Sequence, residues 1–174
     1  MGDYDKAMGI FTPALKQAEK IDDKVGIGYI LNGIGNVHYY KGEYDAALDY
    51  YGRSLAIREE IGDKYGMGSS LNNIGNVHSD KGDIDKALDY YARSLAIQEE
   101  IGDKRGMGFS LIGIGNVHSD KGDYDKALDY YARSLAIAEE LGDKYGMGSS
   151  LIGIGVVHSD KGDYDKALDY YARS

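Results

Sequence analysis

The stretch SLIGIGNVHSDKGDYDKALDYYARSLAI, Ser110–Ile137, stands forty residues after a near copy of itself, SLNNIGNVHSDKGDIDKALDYYARSLAI, at Ser70–Ile97. When Gly62–Ile101 is aligned with Gly102–Leu141, 33 of 40 positions are identical. The same period extends over nearly the whole chain, which predicts an array of identical stacked units. Such close similarity is typical of recent internal duplication or of engineering, and the sequence does not separate the two.

Each forty-residue unit predicts two helices, which we name helix A and helix B. Gly102 is suited to end the preceding helix in the left-handed conformation, and Asp103 then offers its carboxylate as the N-cap of helix A. The apolar face of helix A recurs at steps of three and four residues and consists of Met107, Leu111, Ile114 and His118.

Helix B follows the turn DKGD, in which Gly122 breaks helix A and Asp123 is predicted to cap helix B with its side chain. We expect Asp129 and Arg133 to form an ion pair on its outer side. Its apolar face consists of Tyr124, Ala127, Leu128, Tyr131 and Leu135.

Glycine is unusually frequent for a helical chain, with 25 among 174 residues. Each glycine inside a helix weakens it by about 1 kcal/mol relative to alanine, so these residues need a compensating role in packing. We predict that Gly115 of helix A faces Ala127 of helix B, where two small residues let the backbones approach closely. The residues that correspond to Gly115 in the other units are Gly35, Gly75 and Gly155.

These residues resemble the tetratricopeptide repeat. The resemblance rests on Ile114-Gly115 in helix A, the turn Gly122-Asp123-Tyr124, and Ala127 and Tyr131 in helix B. The forty-residue period is similar to the long repeats of kinesin light chains and spindle-orientation adaptors. The resemblance implies an all-α fold, a right-handed superhelical α-solenoid of antiparallel helix pairs.

The repeat divides residues 1–174, a single array, into five parts. Residues 1–21 match a lone helix B. Three full units follow, at 22–61, 62–101 and 102–141, and the last unit, 142–174, has a shortened helix B. We expect a piece of a longer array, with unsatisfied ends that are able to self-associate head to tail. Pro13 lies inside the first helix B, where we expect it to kink or break the helix.

Composition and motifs argue against several classes of function. The net charge of −9 disfavours nucleic acid and anionic membranes as partners, and no apolar run is long enough to span a bilayer. The glycine-rich stretch is not preceded by the β-strand that a dinucleotide-binding site requires. The acidic turn lacks the spacing of oxygen ligands found in a calcium-binding loop. We therefore expect a cytoplasmic protein that is not an enzyme and binds no cofactor.

One histidine occurs in each unit, at His38, His78, His118 and His158. Neighbouring helices lie about 8–10 Å apart, whereas zinc ligands lie about 2 Å from the metal. Equivalent histidines of stacked units therefore cannot converge on one ion. We predict packed, hydrogen-bonded histidines and no metal site.

The resemblance implies a peptide-binding groove on the concave side of the superhelix, which helices A line. Positions that differ between near-identical units form a stripe there. The candidate peptide-binding residues are Tyr29, Asn32, Asn36, Tyr39, Tyr40, Ser69, Asn72, Asn76, Asp80, Phe109, Ile112, Asn116, Asp120, Ile152 and Val156. In relatives, asparagines that match Asn36, Asn76 and Asn116 bond the peptide backbone, since an amide both donates and accepts.

The stripe also predicts the character of the ligand. Some relatives hold a C-terminal carboxylate with cations at positions that here carry Asn32, Asn36, Asn76, Phe109 and Gly113. The groove has aspartates at one edge, including Asp160, and apolar residues within it. This pattern predicts that the ligand is a basic, partly apolar segment, extended or helical. Two alternatives stay open. The chain could be a non-binding structural or regulatory spacer within a larger signalling or effector protein. The asparagines could serve only to keep an exposed helix face in contact with water.

Overall fold

The computed structural model describes residues 2–174, and this range consists of nine α-helices joined by turns of two or three residues. Connections this short place successive helices antiparallel to one another. The helices are α1 (Gly2–Lys20), α2 (Lys24–Tyr40), α3 (Tyr44–Ile61), α4 (Lys64–Asp80), α5 (Ile84–Ile101), α6 (Lys104–Asp120), α7 (Tyr124–Leu141), α8 (Lys144–Asp160) and α9 (Tyr164–Arg173). The even-numbered helices are the predicted helices A, and the all-α array of helix pairs is confirmed.

The two kinds of turn differ in how they cap the following helix. Gly102 ends α5 in the left-handed conformation at φ 69°, and the Asp103 carboxylate accepts a hydrogen bond from the Gly106 amide at 3.0 Å, as predicted. Gly122 breaks α6 at φ 76°. Asp123 is the N-cap residue of α7, as predicted, but its side chain makes no capping hydrogen bond, because this carboxylate lies across the turn, 3.2 Å from His118 Nδ1.

The helices form two layers. Each helix contacts its sequence neighbour, and each helix A also contacts the next helix A along the array. Within residues 2–174 the helices B make no such contacts with one another. The helices A therefore lie closer together than the helices B, which makes the helix A side concave and the helix B side convex.

A tyrosine ring fills the space between consecutive helices A. Tyr131 of α7 is 2% exposed and lies between α6 and α8. A Cβ atom at Gly115 would lie 2.7 Å from the Tyr131 ring, and one at Gly153 would lie 2.6 Å from it. The predicted neighbour of Gly115, Ala127, is fully buried, but the group that Gly115 accommodates is the larger Tyr131 ring.

The same arrangement recurs along the array with small changes. The Tyr91 ring lies 2.8 Å from a Cβ built on Gly75 and 2.6 Å from one built on Gly113. At the preceding joint Tyr51 is equally close to Gly35, and Asn73 stands where the later units have glycine. One aromatic ring per joint therefore determines how closely the helices stack.

Buried serines connect each helix B to the helices A on either side. Ser134 Oγ donates to the Gly108 carbonyl at 3.1 Å, and Ser150 Oγ lies 3.0 Å from Ser134 Oγ. Both side chains are almost completely buried, so these bonds satisfy groups that would otherwise be costly to desolvate.

The histidines are packed against tyrosine rings, as predicted, but the buried Nδ1 atom of His158 lacks the predicted hydrogen bond. The His118 ring stacks on Tyr130 with an interplanar angle of 4°, and Arg133 lies 5.3 Å from the same tyrosine ring. The Nδ1 atom of His118 is hydrogen-bonded to Asp123. The predicted ion pair of Arg133 with Asp129 is also present, at 4.0 Å on the exposed surface.

The first helix is not broken by its proline, so the expected break at Pro13 does not occur. The helix α1 runs from Gly2 to Lys20 through Pro13. Leu15 and Ala18 pack in a cluster with α2, and the Phe11 ring lies 2.8 Å from a Cβ built on Gly33. These contacts offset the cost of about 3 kcal/mol that an interior proline imposes on a helix.

Membrane insertion is not supported by the helices of residues 2–174, since none of them combines the length and the apolar character needed to cross a bilayer.

Substitution of Gly115 by alanine tests the role of the ring. We expect Gly115→Ala to lower the free energy of unfolding by about 2 kcal/mol, because the new methyl group overlaps the Tyr131 ring. The matched control is Gly52→Ala on α3, where a Cβ meets nothing within 4 Å and other units already carry alanine. The control is expected to gain about 1 kcal/mol. Urea unfolding measures both, and equal effects of the two substitutions would contradict the packing role.

Candidate functional site

A groove with about 1000 Å³ of open space lies on the concave side against α4, α6 and α8, and we call it the concave groove. The predicted residues that line it are Asp80, Ile112, Asn116, Asp120, Ile152 and Val156. The structure adds Ser79, Ser119, Tyr131, Ser149 and Gly153. The repeat could have located these serines, because Ser79 and Ser119 are equivalent to Tyr39, and Ser149 to Ser69 and Phe109. Tyr131 was assigned to the core alone.

The other predicted residues lie outside the concave groove. A smaller pocket beside α4 and α6 contains Ser69, Asn72 and Phe109, together with Tyr65 and Arg105. The residues that line neither space are Tyr29, Asn32, Asn36, Tyr39 and Tyr40 on α2 and Asn76 on α4. That the whole stripe forms one binding site stays a prediction.

The asparagines of the stripe are oriented by the tyrosines that separate the helices. The hydroxyl of Tyr131 donates to Asn116 Oδ1 at 2.7 Å. Tyr91 bonds Asn76 in the same way, and Tyr51 bonds Asn36, each at 2.7 Å. The bond fixes the amide with its oxygen toward the tyrosine, which leaves the NH₂ group of Asn116 as the donor available to a ligand.

Polarity changes along the stripe. In the first half, Asn73 Nδ2 donates to Asn32 Oδ1 at 3.1 Å, so these amides are partly occupied by each other. In the second half, Gly113 and Gly153 replace Asn73, and Ile112 and Ile152 replace Asn72. The half around α6 and α8 therefore presents aliphatic groups where the first half presents amides.

The tyrosines on α2 have structural contacts of their own. The Arg58 guanidinium lies 5.0 Å from the centre of the Tyr29 ring, an attractive cation–π geometry. Burial, and then the neighbouring Asp80 carboxylate, raise the pKa of Tyr39 well above its usual range. Tyr40 remains largely exposed. Tyr39 thus connects α2 to α4 at the edge of the concave groove.

The concave groove carries negative charge. Asp80 and Asp120 line it with exposed side chains, and no lysine or arginine is among its lining residues. Asp160 is exposed at the equivalent position of α8. Within residues 2–174, no group of three histidine, cysteine or acidic side chains is arranged to hold a metal ion. The concave groove thus combines negative charge with aliphatic side chains.

The hydroxyl of Tyr131 is predicted to make folding stability fall at alkaline pH. Burial, and then the charge of Asp120, raise the pKa of Tyr131 to about 12, above the ordinary value of 10.0. A raised tyrosine pKa stabilises the fold below pH 10, and that stability is lost as the pH rises toward 12.

The variant Tyr131→Phe removes both the hydrogen bond and the ionisable group. We expect it to be less stable than the native protein by about 1 kcal/mol at pH 8, and to lose less stability between pH 10 and 12. Urea unfolding at several pH values measures both effects. Parallel pH profiles for the two proteins would contradict the prediction.

Comparison with known sequences identifies a family. The family model of the tetratricopeptide repeat matches residues 1–60, 27–100, 66–140 and 106–174, overlapping segments that together cover the chain. A comparison with curated proteins gives no match.

Solved structures share the fold at low sequence identity. BtubC (BKLC) from P. vanneervenii is 22% identical, with a TM-score of 0.83 over 99% of this chain and 72% of that chain. A putative kinesin light chain from Podosopora anserina with nearly identical repeats is 12% identical, with a TM-score of 0.71 over 97% of this chain and 84% of that chain.

A third structure is the Rap conjugation gene regulator of the plasmid pLS20, solved in complex with a Phr peptide. It is 18% identical, with a TM-score of 0.76 over 90% of this chain and 44% of that chain. The present chain thus spans less than half of the Rap protein. These likenesses support the same architecture of stacked helix pairs. Because the family model matches along the whole length of the present chain, the chain belongs to the tetratricopeptide repeat family.

Proposed function

We propose that the chain is a protein interaction scaffold that holds a basic, partly apolar segment of a partner protein in the concave groove. The observation that carries the proposal is the groove's combination of exposed carboxylates, Asp80 and Asp120, with aliphatic side chains and no cation. Carboxylates attract and orient a cationic segment, while the aliphatic groups bury its apolar side chains.

The dimensions of the groove suit a short segment. Three helices A with axes about 8–10 Å apart span roughly 20 Å. An extended chain rises about 3.3 Å per residue, so about six residues cross the groove. The amide of Asn116 supports this arrangement, because its NH₂ group is positioned to donate to a backbone carbonyl.

The exposed aliphatic residues favour binding over a passive spacer. Ile152 is 49% exposed and Val156 is 40% exposed, and both line the concave groove. A spacer has no need for apolar side chains exposed together in a groove, whereas a binding surface does. The Rap protein solved with a Phr peptide is consistent with a peptide ligand for this architecture.

Reversal of one groove charge tests the proposal. We expect Asp120→Lys to weaken binding of lysine-rich, leucine-containing peptides on a peptide array by about tenfold, and the effect to shrink as salt is added. The matched control is Asp89→Lys on α5, an exposed aspartate that pairs with Arg93 and does not line the groove.

Fluorescence anisotropy with the best peptide gives the dissociation constants of both variants. Equal dissociation constants for native protein, variant and control would show that the peptide does not lie in the concave groove, and absence of binding by all three would favour the spacer. Tight binding restricted to acidic peptides would contradict the proposed ligand chemistry.

A further inference from the structure

Equivalent aspartates precede three of the helices A, and two of these aspartates already hold an arginine of this chain. Asp63, Asp103 and Asp143 are the N-cap residues of α4, α6 and α8. Arg58 Nε lies 3.9 Å from the Asp63 carboxylate, and Arg105 Nε donates to the Asp143 carboxylate at 3.1 Å. Among residues 2–174, no cationic side chain forms an ion pair with Asp103. The middle aspartate is therefore the one whose charge is left for a ligand.

Arg58 shows how a guanidinium group is held at the joint between α2, α3 and α4. The residue is 2% exposed, and its Nη1 donates to the Gly66 carbonyl. Its guanidinium carbon lies 5.0 Å from the centre of the Tyr29 ring, while its Nε faces Asp63. A carbonyl, a carboxylate and an aromatic ring thus form the surroundings of a guanidinium group in this fold.

Gln98 occupies the place of Arg58 at the next joint, between α4, α5 and α6, but its side chain ends earlier. A Cβ built on Gly66 would lie 2.6 Å from Arg58 Nε. One built on Gly106, the equivalent residue, would lie 2.8 Å from Gln98 Nε2. The two side chains therefore correspond as far as that nitrogen atom. Beyond it Arg58 carries the rest of its guanidinium group, and Gln98 carries nothing.

The space beyond Gln98 is the smaller pocket beside α4 and α6, and we call it the Asp103 pocket. Its volume is about 160 Å³. One water molecule needs about 10–15 Å³ of such space, so the pocket is large enough to admit a side chain. The residues that matter for its chemistry are Tyr65, Gln98, Asp103, Arg105, Gly106 and Phe109.

Two hydrogen-bond acceptors in the Asp103 pocket remain available to a ligand. Asp103 Oδ1 accepts from the Gly106 amide at 3.0 Å, which leaves the second carboxylate oxygen. Ser110 Oγ donates to Gln98 Oε1 at 2.8 Å, so it does not occupy the Gly106 carbonyl. These two groups are the counterparts of the carboxylate and the carbonyl that surround Arg58.

Aromatic side chains and a paired cation complete the Asp103 pocket. Tyr65 is 56% exposed and Phe109 is 38% exposed, so both offer aromatic surface to a ligand. Arg105 is the cation among the lining residues, and its Nε is bonded to Asp143 outside the pocket. Because that charge is already balanced, the Asp103 carboxylate makes the pocket favour a cation.

We propose that the Asp103 pocket takes one arginine side chain of the segment bound in the concave groove. The inference rests on the proposed function and adds the residue that anchors the segment. Phe109 lines the pocket and Ile112 lines the groove three residues further along α6, a rise of about 4.5 Å, so one segment reaches both. The guanidinium group donates to Asp103 and to the Gly106 carbonyl, and its plane packs on the aromatic side chains.

Three labelled nine-residue peptides test the pocket by fluorescence anisotropy. Their flanks consist of lysine, leucine and serine, and the central residue is arginine, lysine or citrulline, the neutral analogue of arginine. We expect the arginine peptide to bind the native protein about tenfold more tightly than either of the others. Citrulline lacks the charge, and the compact ammonium group of lysine lacks the planar set of donors that reaches a carboxylate and a carbonyl together.

A substitution that fills the pocket shows whether the preference arises there. Gln98→Arg supplies the arginine that the preceding joint carries, and we expect it to abolish the preference because the new guanidinium group occupies the pocket. The matched control is Ala96→Arg, which adds the same charge at an exposed position of α5. We expect this control to keep the preference for the arginine peptide.

A second substitution removes the charge of the pocket without removing the helix cap. Asp103→Asn keeps a side chain that caps helices as well as aspartate does, so α6 is preserved. We expect the arginine peptide to lose most of its tenfold advantage. The matched control is Asp23→Asn, the same change at the N-cap of α2, which leaves the advantage in place.

The outcomes separate the two proposals. Equal binding of the three peptides overturns the arginine pocket and leaves the groove function standing. Equal binding of the arginine and lysine peptides, both tighter than the citrulline peptide, shows a response to charge alone and also overturns the pocket. An arginine preference that persists in Gln98→Arg does the same. Failure of all three peptides to bind contradicts the proposed function as well.

Discussion

The insertion of Tyr131 between Gly115 and Gly153 is the contact on which the stacking of this array depends. The ring comes from the outer layer of helices and reaches the inner layer, where two glycines on consecutive helices A leave room for it. Any side chain at either glycine would push the inner helices apart or displace the ring. The cost of glycine in a helix is therefore offset by a close contact between three helices.

The same tyrosine also builds the functional surface. Its hydroxyl reaches the concave side and holds the amide of Asn116, and its ring forms part of the floor of the groove. Packing and recognition are thus coupled at one residue, and the position of the groove amide follows from the packing of the core. Differences between the units then act on a constant framework, in which Ile112 and Ile152 make the groove less polar.

Several features were predictable from the sequence because they follow from short-range chemistry. The forty-residue period gave the helix pairs, and the left-handed glycine and N-cap at Gly102-Asp103 followed from the conformational preferences of these residues. The contact of Gly115 with the Tyr131 ring was not predictable, because periodicity assigns a residue to a helix face but does not show how far its side chain extends. Asp123 was assigned as a side-chain cap because the competing bond to His118 depends on the geometry of the folded turn. The continuation of α1 through Pro13 depends on tertiary contacts with α2 that no local rule contains.

A double-mutant cycle between Gly153 and Tyr131 tests most directly whether the ring determines the spacing of the helices. The free energy of unfolding is measured for Gly153→Ala in the native protein and in a Tyr131→Leu background, where the shorter side chain leaves room for a methyl group. The packing predicts that alanine is destabilising with the tyrosine and neutral or stabilising with the leucine, a coupling of at least about 1 kcal/mol. An equal cost in both backgrounds would show that Gly153 does not accommodate the Tyr131 ring and would contradict the proposed basis of the array.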